Sequence, residues 1–430
     1  MTCSKRLALL AAVLVPLLAA RVQAAEPPKA PRGSGVFLHL QFAARGGGVS
    51  PSLMDHPLVD GARYSLNWAE LEPREGQYEW DVIDKLAEEW ARKGKHVIIS
   101  IKTAQKGGHS PTSKSATPDW VFAAGAKKVV FTVKGGESNG EQTVYPVFWD
   151  PVYLAKYEKF IKALAARFDG DPRIEYFEIG VGQGGATKVT PDKGGFQAFE
   201  TKAEPPYTPE RFVAAAKRII DIESAAFKKS HTAVFLNTFF RQKDGTEKKE
   251  MPEIARYAAD RGVYIFSRSL DERVRAMVER GYVQLYSELA PKTKLGFAYD
   301  FNIVKDPGKK AHPYEQSVAD FRSAMRNAVG GFSETEAEEQ QALAAGGAAD
   351  KKAQRQAKRE ERRGHKEGAA SANGTLTVPA THISYLFLLE RDASLMDPNR
   401  KTKGALGYDK RIEDEVRKVR AELRTTLPGR

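Results

Sequence analysis

The sequence predicts a single (β/α)8 barrel. From Gly35 onward, eight apolar runs of strand length alternate with amphipathic runs of helix length, which is the pattern of a closed sheet of parallel strands. An open, doubly wound sheet is the competing architecture. Against it, the first strand is not followed by a glycine-rich dinucleotide turn that opens a helix, because Gly46, Gly47 and Gly48 have the wrong spacing.

The predicted strands are short and apolar, and turn residues or helices separate them. In chain order they span residues 35–42, 61–68, 96–102, 174–180, 233–239, 263–267, 282–289 and 383–389.

The predicted helices repeat apolar residues at three- and four-residue spacing. In 81–93, for example, Val82, Leu86, Ala87 and Trp90 fall on one face and Gly94 ends the helix. The remaining predicted helices span residues 151–168, 209–228, 250–260, 271–281 and 314–328.

Two stretches interrupt this alternation. Residues 127–148 predict a β-hairpin with its tip at Gly135–Gly140, inserted after strand three on the side where a barrel builds its active site. Residues 334–373, before strand eight, are of low complexity and rich in charge, which favours a solvated helix or disorder.

The N-terminus is predicted to be a signal peptide of residues 1–24. Lys5 and Arg6 precede an apolar run at 7–20, and small residues up to Ala24 offer the cleavage site. This segment predicts export to the periplasm or the extracellular space. The mature chain is then predicted to consist of a flexible linker at 25–34 and one domain at 35–430. The only cysteine is Cys3, so the mature protein has no disulfide. No later segment is long and apolar enough for stable membrane insertion.

The chain is basic, with 67 Lys and Arg against 55 Asp and Glu and a formal charge of +12. Much of the excess lies in 351–366, so a solvated basic surface is favoured over a polyanion partner. Nucleic acid is not expected as a partner, since this run has no aromatic residue to stack on bases. The eight histidines lack the spacing of helix-borne metal ligands, and no cofactor-binding motif is found, so neither metal nor cofactor is predicted.

Reacting groups in such barrels lie at the carboxyl-terminal ends of the strands. Side chains at these ends suit a sugar: aromatic rings stack on it, polar groups bind its hydroxyls, and paired carboxylates can break an acetal. The candidate catalytic residues are Glu288 and Glu178, and the candidate substrate-binding residues are Arg63, Asn67, Trp68, Trp120, Gln183, Asn237, Tyr286 and His39.

A resemblance to a known family rests on residues 61–80 (GARYSLNWAELEPREGQYEW), the helix after them, and 117–121 (TPDWV). These segments resemble the β-galactosidase and β-glycanase barrels of glycoside hydrolase clan A, most strongly over 35–185. The resemblance implies a nucleophile at the end of strand seven, which Glu288 matches. It also implies an acid/base at the end of strand four, where Glu178 is the candidate. The sequence departs from the family there: Glu178 has no preceding Asn, and the following loop has no Gly-Glu step.

Three functions are compatible with these residues. The first is a secreted, retaining glycoside hydrolase that acts on a poly- or oligosaccharide. The second is a glycan-binding barrel that has lost the acid/base, and the third is an exported scaffold whose basic insertion binds polyanions. Structural roles also stay open: Arg63 can hold a carboxylate in place, Tyr286 can orient Glu288, and Trp68, Trp120 and His39 can belong to the core.

Overall fold

The computed structural model describes most of the predicted domain. The described residues are 33–40, 49–105, 115–134, 140–190, 193–237, 250–267, 282–299, 314–329, 333–334, 376–377, 383–399 and 407–425.

Eight parallel strands close into a barrel, which confirms the predicted fold class. In order around the barrel they are β1 (Gly35–Leu40), β2 (Gly61–Asn67), β3 (His96–Lys102), β6 (Ile174–Glu178), β7 (Thr232–Leu236), β8 (Tyr264–Ser267), β9 (Leu295–Tyr299) and β12 (Tyr385–Leu389).

The remaining strands form two small ladders outside the barrel. Between the short helix Asp119–Ala123 and the long helix Pro151–Phe168, β4 (Lys128–Thr132) pairs with β5 (Gln142–Pro146) in an antiparallel hairpin. Near the predicted charged insertion, β10 (Ser333–Glu334) pairs with β11 (Leu376–Thr377). Residues 335–375 of that insertion lie outside the described residues, as do the predicted signal peptide and most of the linker.

Helices surround the barrel and run back along its outside. They are α1 (Pro51–Asp55), α2 (Trp68–Leu71), α3 (Asp81–Ala91), α4 (Asp119–Ala123), α5 (Pro151–Phe168), α6 (Lys193–Thr201), α7 (Pro209–Ala226), α8 (Glu250–Ala259), α9 (Tyr282–Leu289), α10 (Tyr314–Val329), α11 (Glu390–Ala393) and α12 (Lys410–Thr425). Within the described part of the chain, none of them is long and apolar enough to cross a membrane.

Caps recognisable in the sequence begin the longest helices. Asp150 accepts a hydrogen bond from the Tyr153 N–H at the start of α5, and Thr208 accepts one from Arg211 at the start of α7. In both helices a proline follows the cap, where its missing N–H costs no helical hydrogen bond. These caps fix where each helix begins beside the mouth of the barrel.

The core has two layers. Between the strands and the helices lies the larger apolar cluster, and the interior of the barrel holds a second one made largely of aromatic rings. Because alternate strand residues face opposite sides of a sheet, the interior receives every second side chain. Its members are Phe37, Ile98, Tyr176, Ala233, Phe235, Tyr264, Phe266, Ala298, Tyr385 and Phe387.

The sequence-based prediction of strand seven was wrong. Residues 282–289 form the helix α9, and the seventh barrel strand is β9, at Leu295–Tyr299. Tyr282, Leu285, Tyr286 and Leu289 are all buried, and their spacing is that of one helical face. The predicted helix at 271–281 lies outside the described residues.

Candidate functional site

A buried ion pair stands at the carboxyl-terminal end of the barrel. Arg63 on β2 points into the barrel and donates to both carboxylate oxygens of Glu178 on β6, with Nε 2.5 Å from Oε2. The guanidinium carbon also lies 5.0 Å from the centre of the Phe235 ring on β7. Since both charged side chains are almost fully buried, this two-point contact fixes the carboxylate tightly.

Three further side chains complete the cluster. His39 Nε2 lies 2.8 Å from an Arg63 nitrogen, and the Ser100 hydroxyl donates to Glu178 Oε1 at 2.8 Å. Lys102 Nζ lies 3.4 Å from the same oxygen. The cluster therefore draws on four consecutive strands of the sheet, β1, β2, β3 and β6, which the strand pairing brings together.

Glu178 is ionised over the whole physiological pH range. Burial alone would raise the pKa of Glu178, but the charges of Arg63 and Lys102 and the hydrogen bonds from Arg63 and Ser100 outweigh burial and lower it to about 2. A carboxyl group with so low a pKa carries no proton to donate at neutral pH. The geometry thus supports Glu178 as an anionic group and argues against its predicted role as a general acid.

A glycine-rich loop follows Glu178 and closes over it. Lys102 donates a hydrogen bond to the Gly184 carbonyl, and the Gly184 N–H donates to the Ala104 carbonyl at 2.6 Å. Gly185 has φ +76°, and a Cβ there would lie 3.2 Å from Glu178 Oε1. Glycine at 185 therefore lets the backbone approach the carboxylate closely.

Glu288 and Tyr286 lie away from this cluster. Glu288 is on the exposed side of α9, where Arg256 of α8 binds both of its carboxylate oxygens. The Tyr286 hydroxyl donates to the Gly296 carbonyl at 2.9 Å, and its ring stacks on Phe297. The predicted placement of Glu288 at a strand end, with Tyr286 orienting it, was wrong because both residues belong to a helix.

The contacts of Trp68 and Trp120 indicate structural roles for both side chains. Trp68 is fully buried against the α5 aromatic residues, with its ring centre 5.6 Å from that of Tyr157, and its Nε1 donates to Glu72 at 2.7 Å. Trp120 meets Trp68 edge-on and donates to the Glu72 carbonyl at 3.0 Å. Glu72 thus anchors both indoles between β2 and the helices.

Three predicted binding residues remain near the strand ends. Asn67 ends β2, and its N–H donates to the Glu70 carboxylate as α2 begins. The Gln183 N–H donates to the Lys188 carbonyl at 2.8 Å within the glycine-rich loop. The Asn237 N–H, just beyond β7, donates to the Thr187 hydroxyl at 3.0 Å. The side chains of Gln183 and Asn237 are partly exposed.

Sequence reasoning missed Ser100 and Lys102. Both carry a signal that it could have used, because they alternate with apolar residues along β3 and Lys102 ends the strand. The described residues contain no group of three or more His, Cys, Asp or Glu placed to hold a metal ion.

Comparison with known families gives a match over part of the barrel, from α1 through β2, β3 and β6. Residues 53–207 match the model of glycoside hydrolase family 42, described as β-galactosidase. The glycosidase resemblance is confirmed. This match, on a closed (β/α)8 barrel, supports an O-glycosyl hydrolase as the enzyme class. Among curated proteins, no sequence matches the chain.

Two solved structures that match this chain are remote from it in sequence. The catalytic domain of β-amylase from Paenibacillus polymyxa is 10% identical, with a TM-score of 0.51 over 92% of this chain and 99% of that one. A GH10 structure from Paenibacillus barcinonensis is 13% identical, with a TM-score of 0.45 over 93% of this chain and 96% of that one. The first likeness shows the shared fold.

Proposed function

We propose that the protein is a secreted glycoside hydrolase that acts on an oligo- or polysaccharide at the carboxyl-terminal end of the barrel. The observation that carries the proposal is the Arg63–Glu178 pair, an ionised carboxylate fixed inside a barrel whose residues 53–207 match a glycosidase family. Parts of five of the eight connections that leave this end, at 41–48, 106–114, 238–249, 268–281 and 300–313, lie outside the described residues.

Glu178 supplies the negative charge that glycoside cleavage requires. The transition state resembles an oxocarbenium ion, which a fixed anion stabilises or attacks. Because Glu178 is fully buried under Gly185 in the free protein, this role requires the sugar to displace that part of the loop. Ser100 and Arg63 hold the carboxylate in one orientation before substrate arrives, which limits reorganisation during the reaction.

A second carboxyl group must protonate the leaving oxygen. With strand seven placed at β9, the next residue in the chain is Asp300, which lies outside the described residues and is nominated by its sequence position alone. The separation of the two carboxyl groups sets the outcome, about 5 Å for retention and about 6.5–9.5 Å for inversion. We favour retention, the outcome that the clan A resemblance implies, with the roles of the two strand-end carboxyl groups exchanged relative to that resemblance.

Glycan binding without hydrolysis is the second candidate. A specific observation favours it: Glu178 has a pKa of about 2, and residues 179–185 contain no other carboxyl group that could serve as the acid. A barrel of this kind binds a sugar at the same end but does not turn it over.

A hydrolysis screen with a matched pair of variants tests the proposal. Aryl glycosides and polysaccharides are incubated with the wild type, Glu178→Gln and Glu288→Gln, with circular dichroism to check each fold. A hydrolase loses turnover in Glu178→Gln and keeps it in Glu288→Gln, which changes the same residue type on the surface. If the wild type binds glycans without cleaving them, the binding candidate is supported. If it shows neither hydrolysis nor binding, both candidate functions are overturned.

Export is part of the proposal. The basic start, the apolar run and the small residues before Ala24 support cleavage at that position. Expression with the native N-terminus, followed by N-terminal sequencing of the periplasmic and secreted fractions, should find a chain that begins at Ala25. A cytoplasmic, uncleaved chain would contradict this part.

A further inference from the structure

A second buried carboxyl group lies behind the site. Glu223 belongs to the apolar face of α7, among Ile219, Ile220 and Ile222, and its exposed fraction is 2%. A carboxyl group in such a place is costly unless hydrogen bonds satisfy it, so its partners define its role.

The partners of Glu223 are one side chain and one backbone group. The Tyr157 hydroxyl, on α5, donates to Glu223 Oε1 at 2.5 Å. The backbone N–H of Gly180, two residues after Glu178, also faces the carboxyl group and favours its ionised form. Glu223 therefore ties a helix on the outside of the barrel to the backbone at the end of β6.

Gly180 is closely confined at this point. A Cβ at 180 would lie 2.8 Å from the Ile101 carbonyl oxygen and 3.4 Å from the Tyr157 hydroxyl. The peptide is thus pressed between β3 and α5, and only glycine allows the approach.

The loop that begins at Gly180 reaches the ionised carboxylate. It runs to Gly184, whose carbonyl accepts from Lys102, and Lys102 lies 3.4 Å from Glu178 Oε1. A continuous set of contacts therefore leads from Glu223 to Glu178 through the loop.

We propose that Glu223 is a positioning residue, which with Tyr157 fixes the Gly180 peptide and so holds the Gly180–Gly185 loop against Lys102 and Glu178. The proposal concerns the conformation of the loop. Only its consequence, that an ordered loop supports turnover, rests on the proposed function.

A pH dependence follows from the surroundings of Glu223. The groups that act on it are Tyr153 and Tyr157 from α5 and Glu178 from β6. Burial raises the pKa of Glu223 to about 8, and the charge of Glu178 adds to this, while the hydrogen bond from Tyr157 and the N–H of Gly180 oppose it. The carboxyl group of Glu223 is thus neutral at pH 7. When it ionises at higher pH, conformations in which it is exposed to water become more stable relative to the closed one.

Hydrogen exchange of the loop measures this directly. Deuterium uptake of a peptide spanning residues 179–187 is followed in the full-length mature protein from pH 6 to pH 9, corrected for the intrinsic chemical rate. If opening hydrates Glu223, protection in the wild type falls by about tenfold per pH unit up to about pH 8 and then levels off. In Glu223→Gln, protection no longer depends on pH.

Glu250→Gln is the matched control. Glu250 is also buried on a helix, α8, and accepts a hydrogen bond at 2.6 Å from a tyrosine, Tyr207, which precedes α7. This hydrogen bond does not involve the Gly180–Gly185 loop. This variant should retain the wild-type pH dependence. The same pH-dependent loss of protection in Glu223→Gln as in the wild type, or constant protection in the wild type, would overturn the proposal.

Tyr157→Phe is a second variant, independent of whether Glu223→Gln folds. The variant removes the hydroxyl that lowers the pKa of Glu223, so the pH at which protection stops falling should move above 8. If that pH is unchanged, the proposed contact between Tyr157 and Glu223 is contradicted. Hydrogen exchange involves no substrate, so a protein without hydrolase activity would not contradict this inference. Conversely, loop protection that does not change with pH would not contradict the hydrolase proposal.

Discussion

Arg63 and Glu178 face each other inside the barrel from β2 and β6, joined by two hydrogen bonds and shielded from solvent. Each charge is tolerated there because the other is present, since an unpaired buried charge is far more costly than a buried pair. The pair therefore links the stability of the barrel to the carboxylate on which the proposed chemistry depends.

Glu178→Gln should destabilise the protein by about 3–5 kcal/mol, because it leaves Arg63 buried without a counter-charge. Urea unfolding followed by circular dichroism gives the free energy. Combining Glu178→Gln with Arg63→Met should recover part of the loss, since neither buried charge then remains. A double variant that is destabilised by the sum of both single losses would show that the two side chains act independently.

Glu288→Gln should change the free energy of unfolding by no more than about 1 kcal/mol. Its partner Arg256 is about half exposed, so solvent screens the pair. Activity toward any glycoside that the wild type cleaves should be unchanged. Loss of activity in this variant, at normal stability, would return Glu288 to the site in spite of its place on α9.

The pH dependence of stability should have opposite signs for two glutamates. The pKa of Glu178 is lowered from 4.5 to about 2, so its stabilisation is present above pH 4.5 and is lost as pH falls toward 2. The pKa of Glu223 is raised to about 8, so its contribution declines as pH rises from 4.5 to 8.

Thermal melts at pH 5, 6, 7 and 8 isolate the contribution of Glu223 to the pH dependence of stability. Glu223→Gln should gain stability relative to the wild type as pH rises, by about 1.4 kcal/mol per pH unit at most. A constant difference between the two proteins across this range would mean that Glu223 does not titrate in the fold.

Gly185→Ala and Gly184→Ala should differ in their effect on function. Both positions have positive φ, +76° and +63°, so both variants carry a backbone penalty of about 1 kcal/mol. A Cβ at 184 meets nothing within 4 Å, whereas one at 185 lies 3.0 Å from Lys102 Nζ and 3.2 Å from Glu178 Oε1.

Carbohydrate binding or turnover should therefore fall further in Gly185→Ala than in Gly184→Ala at similar melting temperatures. Isothermal titration with the best ligand from the hydrolysis screen measures the difference. Equal losses in both variants would assign the effect to backbone strain alone.

The sequence alone determined the barrel and the place of Glu178. Apolar runs and helical periodicity predict strands and helices because both reflect which side chains face the core, and strand-end position is then readable along the chain. The same patterns misplaced Glu288, since Tyr282, Leu285, Tyr286 and Leu289 fit a buried helical face as well as an apolar strand.

Only the tertiary structure decided what surrounds Glu178. Arg63, Ser100 and Glu178 are far apart in sequence, and the pairing of β3 with β2 and β6 places them within hydrogen-bonding distance. In the sequence Glu223 is a single acidic residue within the apolar pattern of α7, and its approach to Tyr157 and Gly180 depends on how α7 packs behind β6. Hydrogen bonds and desolvation set these two pKa values in opposite directions, and both require through-space neighbours that local sequence does not specify.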